Sequence, residues 1–551
     1  MGRTSGRPFC VSALIGPMIR TNTGAVMRRL VLSLAASAAF LLPTHAAEFQ
    51  WATQTDPQTM DPHAVNAAPV LSFLNNVYEG LVRRDETMAI VPALATSWEA
   101  IPEEEGGPGW RFNLREGVTF HNGESFEAAD VLFSYERASS EEADTASWFA
   151  PVTRVEAPDA MTVEIFTQEP NPIFPDSIAN WMMMDEGWTV GVGAALPNKD
   201  GESATTRQAN GTGPYRLGSR DPGISTTLVP FENWWDENPS NITTATLTPI
   251  ANPATRIAAL LAGEVDLIDP VPIQDAARLE ETEGVRLIDG IEARVIMLGF
   301  DQTSDDLFSG DESVEGNPLR NRDVREAIYR AIDTDALIQV VMRGSAQEVA
   351  QLVGPGLRGY SEALEPRFEA DIEAAQSLLE QAGYPDGFAL SLACPNDRYI
   401  NDESICQAVV GMLARIGVTA ELNAMPVRQY WPELREDNYD MFLLGWSPGT
   451  FDAEHPIRFL AATPNDEARL GSWNYGGFSN ARVDELLPQI QSEIDEPTRQ
   501  AMLDEVATII RDEAAYVPLY VQPLLWGARD GVEVVQRPDN FFILRWATVA
   551  E

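Results

Sequence analysis

The residues able to do chemistry are few. The four His stand at 45, 63, 121 and 455, none paired at helical spacing, and of the three Cys, Cys10 falls in the expected leader and Cys394 and Cys406 supply only two ligands, so no metal centre is expected. There is no Walker loop, no HExxH and no G-x-S-x-G; Gly191-Val192-Gly193 lacks an acidic partner at the expected distance and reads as a loop. No catalytic set and no cofactor follow from these residues. Two positions instead suit binding. Trp446 lies in Gly445-Trp446-Ser447-Pro448-Gly449, immediately after the strand-like run at 440–444, and offers a large rigid surface. Arg398 follows a second such run at 388–393, and its planar guanidinium suits a bidentate grip on a carboxylate. The residues alone leave rival readings open: a core tryptophan, and a salt bridge from Arg398 to Asp397 or Asp402.

These positions matter only if both runs are strands of one sheet, because ligands of open α/β sheets gather beyond the strands' carboxyl ends. The pattern supports that. Strands are expected at 110–114, 161–166, 294–300, 388–393, 418–422 and 440–444. Helices are expected at 322–341, where Val324, Ala327, Ile328, Ala331 and Ile332 form one stripe, at 371–382 before Gly383, at 403–416 before Gly417, and at 499–510. The order over 371–444 favours an α/β layered domain with a mainly parallel sheet. Residues 48–290, richer in Pro and Trp, read as a mixed α+β region. The stretch 516–546, including Phe541-Phe542-Ile543-Leu544, has strand character and is placed to rejoin the first part.

Charge narrows the partners. With 38 basic and 83 acidic residues the chain carries −45, which repels phosphate backbones and excludes a nucleic-acid partner. Residues 1–46 hold five Arg and no acid, so the remainder carries 33 basic against 83 acidic residues, a charge of −50. That segment reads as an upstream extension and a secretory signal starting at Met27: Arg28 and Arg29, an apolar run at 30–42, then Thr44-His45-Ala46. The run is shorter than the roughly 20 residues that span a bilayer. Export through a cleaved signal to an oxidising compartment makes a Cys394–Cys406 disulfide plausible, with two buried free thiols as the alternative.

Several segments, in this order, carry a resemblance: PALATSWE at 92–99, WRFNLREGVTFHNGE at 110–124, ADVLFS at 129–134, GTGPY at 211–215, NWW at 233–235, GEVD at 263–266, NRDVR at 321–325, AID at 331–333, AGY at 382–384, and GFSN at 477–480 with Asp484. The set resembles the family 5 solute-binding proteins of bacterial ABC importers, the dipeptide, oligopeptide and nickel-complex group, across essentially the whole mature chain. The resemblance implies a two-lobe periplasmic-binding-protein (Venus flytrap) fold. Residues 48–290 would form lobe I with an extra α+β subdomain near 80–205, residues 291–515 lobe II, and 516–551 the return to lobe I. It also implies a monomeric periplasmic receptor, most simply for peptides, serving a permease and its ATPase at the inner membrane. Nickel chelates, opines or oligosaccharides are the other ligand classes. In peptide-binding relatives an Asp close after the Gly-Trp pair meets the peptide ammonium; here Pro448 and Gly449 stand there, and the nearest acids are Asp452 and Glu454. The expected lining is therefore Trp446, Arg398 and Asp452, with Asn66, Tyr78, Tyr430, Trp431 and Trp473 beside them.

Overall fold

The structure is a computed structural model that describes residues 47–550 except 103–105, 199–200, 312 and 466–467. The expected leader over 1–46 lies outside the described residues. Two long strands, Val285–Phe300 and Tyr516–Arg529, run antiparallel through the middle of an 11-stranded sheet. They pair in two stretches, residues 285–291 with 523–529 and 295–299 with 516–521, and the register shifts between Ile291 and Val295. Beyond the first strand lie Met441–Trp446, then Phe388–Pro395 and Val418–Met425. Beyond the second lie Leu267–Asp269, Ala47–Thr53, Ile242–Pro249, Ser225–Pro230 and Tyr215–Asp221. The fold is thus mixed α/β in two lobes, one on either side of this central pair.

The sheet of the second lobe is less parallel than the element order suggests. Phe388–Pro395 runs parallel to Val418–Met425 and to Met441–Trp446, but Met441–Trp446 is antiparallel to Val285–Phe300. Met441–Trp446 is buried along its whole length, Met441 and Leu443 in one core cluster and Phe442, Leu444 and Trp446 in another, which accounts for its unbroken apolar run.

Two local expectations fail for identifiable reasons. The helix anticipated over 322–341 is two helices, Arg322–Ala331 and Thr334–Val340, because the Asp333 carboxylate accepts the Ala336 N–H at 2.9 Å and caps a new start. The apolar run at 541–544 is not a strand. Phe541, Phe542, Ile543 and Leu544 are buried in the first lobe's core, the first three on irregular backbone and Leu544 at the start of the 3-10 turn Leu544–Trp546, so their hydrophobicity reports burial and not extension.

A separate four-stranded antiparallel sheet lies within the first lobe, in the order Ala95–Ile101, Gly109–Leu114, Thr162–Thr167, Val152–Asp159. The helix Ala128–Ala138 packs on it. Phe112, Val131, Ile165 and Trp181, all fully buried, form its own core, each apolar side chain contributing on the order of 1.5–3 kcal/mol.

Candidate functional site

The buried strand Met441–Trp446 releases the chain at Ser447 into a crevice between the lobes. Ser447, Gly449, Thr450 and His455 line one side of a cavity of about 410 Å³, and Asn66, Trp148 and Asn180 line the other. Glu292 and Arg294 complete it from the point where the long strand crosses between lobes. Two residues apart on extended backbone, they point to one face. Arg294 Nη2 donates to Glu292 Oε1 at 3.2 Å and Nη1 to the Gly445 carbonyl at 3.5 Å, while Gln522 Nε2 donates to Glu292 Oε2 at 2.6 Å. The side chains of Arg294 and Glu292 keep 16% and 22% of their surface exposed. Both charges are therefore oriented yet reachable from the cavity.

A second group closes the crevice at its side. Asp176 accepts from Arg84 Nη1 at 3.4 Å and from Arg358 Nη1 at 2.9 Å, and Arg84 Nη2 reaches the Thr450 carbonyl at 3.2 Å. The Arg84 guanidinium lies 4.8 Å over the Phe451 ring. Burial pushes the Asp176 carboxyl up, against the pull of the two guanidinium groups. Arg84, Asp176 and Phe451 also border a neighbouring cavity of about 560 Å³ that Trp98, Trp110 and Arg358 line. The crevice therefore has two chambers with a charged and aromatic constriction between them.

His455 presents a neutral imidazole. Burial, with a smaller push from Arg458, lowers its pKa to about 4. Its Nδ1 accepts the Trp446 indole N–H at 3.1 Å, so the ring proton sits on Nε2. That atom would lie 3.4 Å from a Cβ on Gly449, a residue that lines the cavity. It is a fixed neutral donor at the cavity wall.

The signature of bacterial extracellular solute-binding proteins, family 5 (middle), matches residues 89–467. The chain belongs to this family. Among curated relatives, the glutathione-binding protein GsiB of Shigella dysenteriae serotype 1 (strain Sd197) is 28% identical over 513 residues, 92% of this chain and 94% of the relative. Among solved structures, HbpA2 from Haemophilus parasuis superposes with a TM-score of 0.80 at 21% identity, covering 92% of this chain and 100% of that one. The periplasmic binding protein DppA from Helicobacter pylori, in complex with the peptide STSA, gives 0.64 at 22% identity over 92% and 98%. The two-lobe fold and a solute-binding role in ABC import follow from this membership. Among the described residues no helix is long and apolar enough to cross a membrane, and no group of three or more His, Cys, Asp or Glu is placed to hold a metal ion.

In this family 5 protein the residues singled out from the sequence fall in different places. Asn66 lines the cavity. Trp446 is 9% exposed and stands behind His455, in a chain of aromatic contacts through Trp473 at 5.5 Å and on to Trp431 at 5.4 Å and Tyr430 at 5.0 Å. It orients the cavity wall and does not line it. Three candidates are core residues. Tyr430 is fully buried, its hydroxyl on the Leu443 carbonyl; Tyr78 is fully buried and accepts the Asn210 N–H at 3.4 Å. Asp452 is fully buried in a two-pronged pair with Arg499, both contacts at 2.8 Å, so it has no free oxygen for a ligand ammonium. Arg398 is exposed outside the cavity, its guanidinium 5.4 Å over the neighbouring Tyr399 ring. Neither expected acid pairs with that guanidinium: Asp402 takes the N–H groups of Arg398 and Tyr399 at 2.9 and 3.0 Å, and Asp397 takes that of Val427. This turn folds the loop back onto the helix Asp402–Leu413, where Cys406 is bonded to Cys394 with Cα atoms 6.6 Å apart. The sequence reading missed Glu292 and Arg294. The signal was present in Gly290-Ile-Glu-Ala-Arg-Val-Ile-Met297, two opposite charges on one face of an otherwise apolar strand.

Proposed function

We propose that this family 5 protein is the periplasmic receptor of an ABC importer and captures short peptides between its lobes. It hands them, as a monomer and without chemistry of its own, to an inner-membrane permease driven by an ATPase. A cleaved leader within residues 1–46, starting at Met27, carries it out of the cytoplasm. The observation that carries the reading is the Glu292–Arg294 pair at the interlobe crossing, oriented, partly exposed and facing a cavity of about 410 Å³. That volume lies within the roughly 300–1,000 Å³ of small-ligand sites.

A zwitterionic ligand matches this arrangement. The Arg294 fork takes a carboxylate, and Glu292 takes an ammonium in place of the acid that is missing beside Gly449. Asn66 and His455 Nε2 supply neutral hydrogen bonds to amides. The relatives named above for glutathione and bound to the peptide STSA support the same ligand class. Lobe I is assigned to 48–290 and 516–551, with the extra subdomain near 80–205, and lobe II to 291–515. The strand Tyr516–Arg529 contributes to both lobes, its first half beside residues 295–299 and its second beside Leu267–Asp269. Ligand contacts available only when the lobes approach shift the hinge equilibrium; moving it from 1:99 to 99:1 takes about 5.5 kcal/mol of differential affinity.

The test is native mass spectrometry of the purified protein, followed by calorimetric titration with dipeptides, tripeptides and glutathione. One peptide bound per chain, saturably, is the expected result. Saturable binding of a nickel chelate, an opine or an oligosaccharide with no peptide binding overturns the ligand class. Turnover of peptide or ester substrates overturns the receptor reading.

A further inference from the structure

We infer that the first lobe holds a second binding site, for a small organic ammonium ion, in an aromatic chamber separated by a protein wall from the interlobe crevice. The wall is the segment 538–542, whose residues alternate: Asp539 and Phe541 face the crevice, Asn540 and Phe542 face a chamber of about 290 Å³. The helix Ala68–Leu74 divides in the same way, with Leu71 toward the crevice and Phe73 toward the chamber. Gln54, Thr55 and Pro69, all exposed, frame the mouth.

Four aromatic rings form the walls. Trp51 stands 6.3 Å from Phe73 and 5.6 Å from Phe542, and Phe542 stands 6.0 Å from Trp526. All four side chains are buried within the lobe's own core cluster. Asp269, the last residue of the strand Leu267–Asp269, lines the same chamber, and its Oδ1 is buried with no hydrogen-bond partner. Two of the nearby donor groups are directed elsewhere, leaving the Asn540 side-chain amide beside the carboxyl. Trp526 Nε1 donates to Asn540 Oδ1 at 2.8 Å, and the Arg256 guanidinium donates to the Pro270 and Ile250 carbonyls at 2.7 and 2.6 Å. Burial pushes the Asp269 carboxyl up to about 7; Arg256, Asn540 and Trp526 oppose the shift and Glu292 adds to it.

A buried carboxylate oxygen without a partner is costly, and a bound cation relieves that cost. Aromatic faces attract the same charge through their quadrupoles. Their combination selects an alkylated or primary ammonium over a hard metal ion, which needs six or more oxygen ligands if it is calcium and meets mostly rings here. The inference does not depend on the ligand of the interlobe crevice.

The test is titration of the full mature protein with tetramethylammonium chloride and with methylammonium chloride, against sodium chloride at equal ionic strength, following the tryptophan indole N–H resonances. Saturable shifts of the Trp51 and Trp526 signals are expected. Asp269→Asn should weaken binding about tenfold or more, and Phe542→Leu should weaken tetramethylammonium more than methylammonium. Asp269→Asn should also keep or raise the melting temperature at pH 8, because it removes an uncompensated charge. Absence of saturation with both ions, shifts confined to Trp446 and Trp473, or unchanged affinity in Asp269→Asn would each overturn the inference. If Asp269→Asn does not fold, the Phe542→Leu affinities and the wild-type indole shifts decide.

Discussion

Asp452 and Glu292 carry the same functional group in opposite circumstances. Asp452 is fully enclosed with Arg499, and breaking such a pair strands a buried charge, at a cost of about 3–5 kcal/mol. Asp452→Asn should therefore lower the urea midpoint strongly while the folded fraction still binds ligand, as parallel unfolding and titration curves would show. Arg294→Ala should do the reverse: near-normal unfolding, with ligand affinity reduced about tenfold or more in calorimetry. His455 supplies a pH test. Its folded pKa of about 4 lies below the ordinary 6.5, so the unfolded chain binds the proton better. Stability then falls as pH drops from 6.5 toward 4 and the contribution levels off below that. His63, at about 3, and His121, at about 4, act in the same direction. Asp130 and Asp289, both raised to about 6, act in the opposite one, since they favour the folded state when protonated. Comparing wild type with His455→Gln isolates the histidine: the variant should show a shallower loss of urea midpoint between pH 6.5 and 4. At this scale residue type misled more than it helped. Arg398 and Asp452 have the right chemistry, but capping of a loop and a long-range partner, neither visible locally, decide where they point.

Elements were more legible than side chains because their signals are local. The strands Phe388–Pro395, Val418–Met425 and Met441–Trp446 follow the apolar runs that announced them. The errors came where tertiary context overrides pattern. Residues 322–341 keep a helical stripe through a capping Asp333, and residues 541–544 are apolar because they fill a core. The long strand Val285–Phe300 was expected only from 294, since its first half, only partly buried, lacks a continuous apolar run. The bond between Cys394 and Cys406, 12 residues apart, ties the strand Phe388–Pro395 to the helix Asp402–Leu413. Closing a loop of that size stabilises by about 3 kcal/mol in the chain-entropy account. Denaturation with and without reductant should show a loss of that order. Ligand affinity should stay unchanged, because the bridged loop lies outside the cavity.

For the molecule as a whole, two strands are the covalent route through which the sheet passes from one lobe to the other, and their register breaks beside Glu292 and Arg294. The charges that would grip a ligand thus sit on the strand pair that joins the two lobes. Asp176 and Arg358, which meet at 2.9 Å across the crevice, close it on a second side. This architecture was legible in the sequence through the ordered family motifs, whereas the composition of the crevice depends on contacts between segments hundreds of residues apart. Small-angle X-ray scattering of the protein with and without a saturating peptide tests lobe closure directly. A smaller radius of gyration with peptide bound is the predicted result; unchanged dimensions at full occupancy would contradict it.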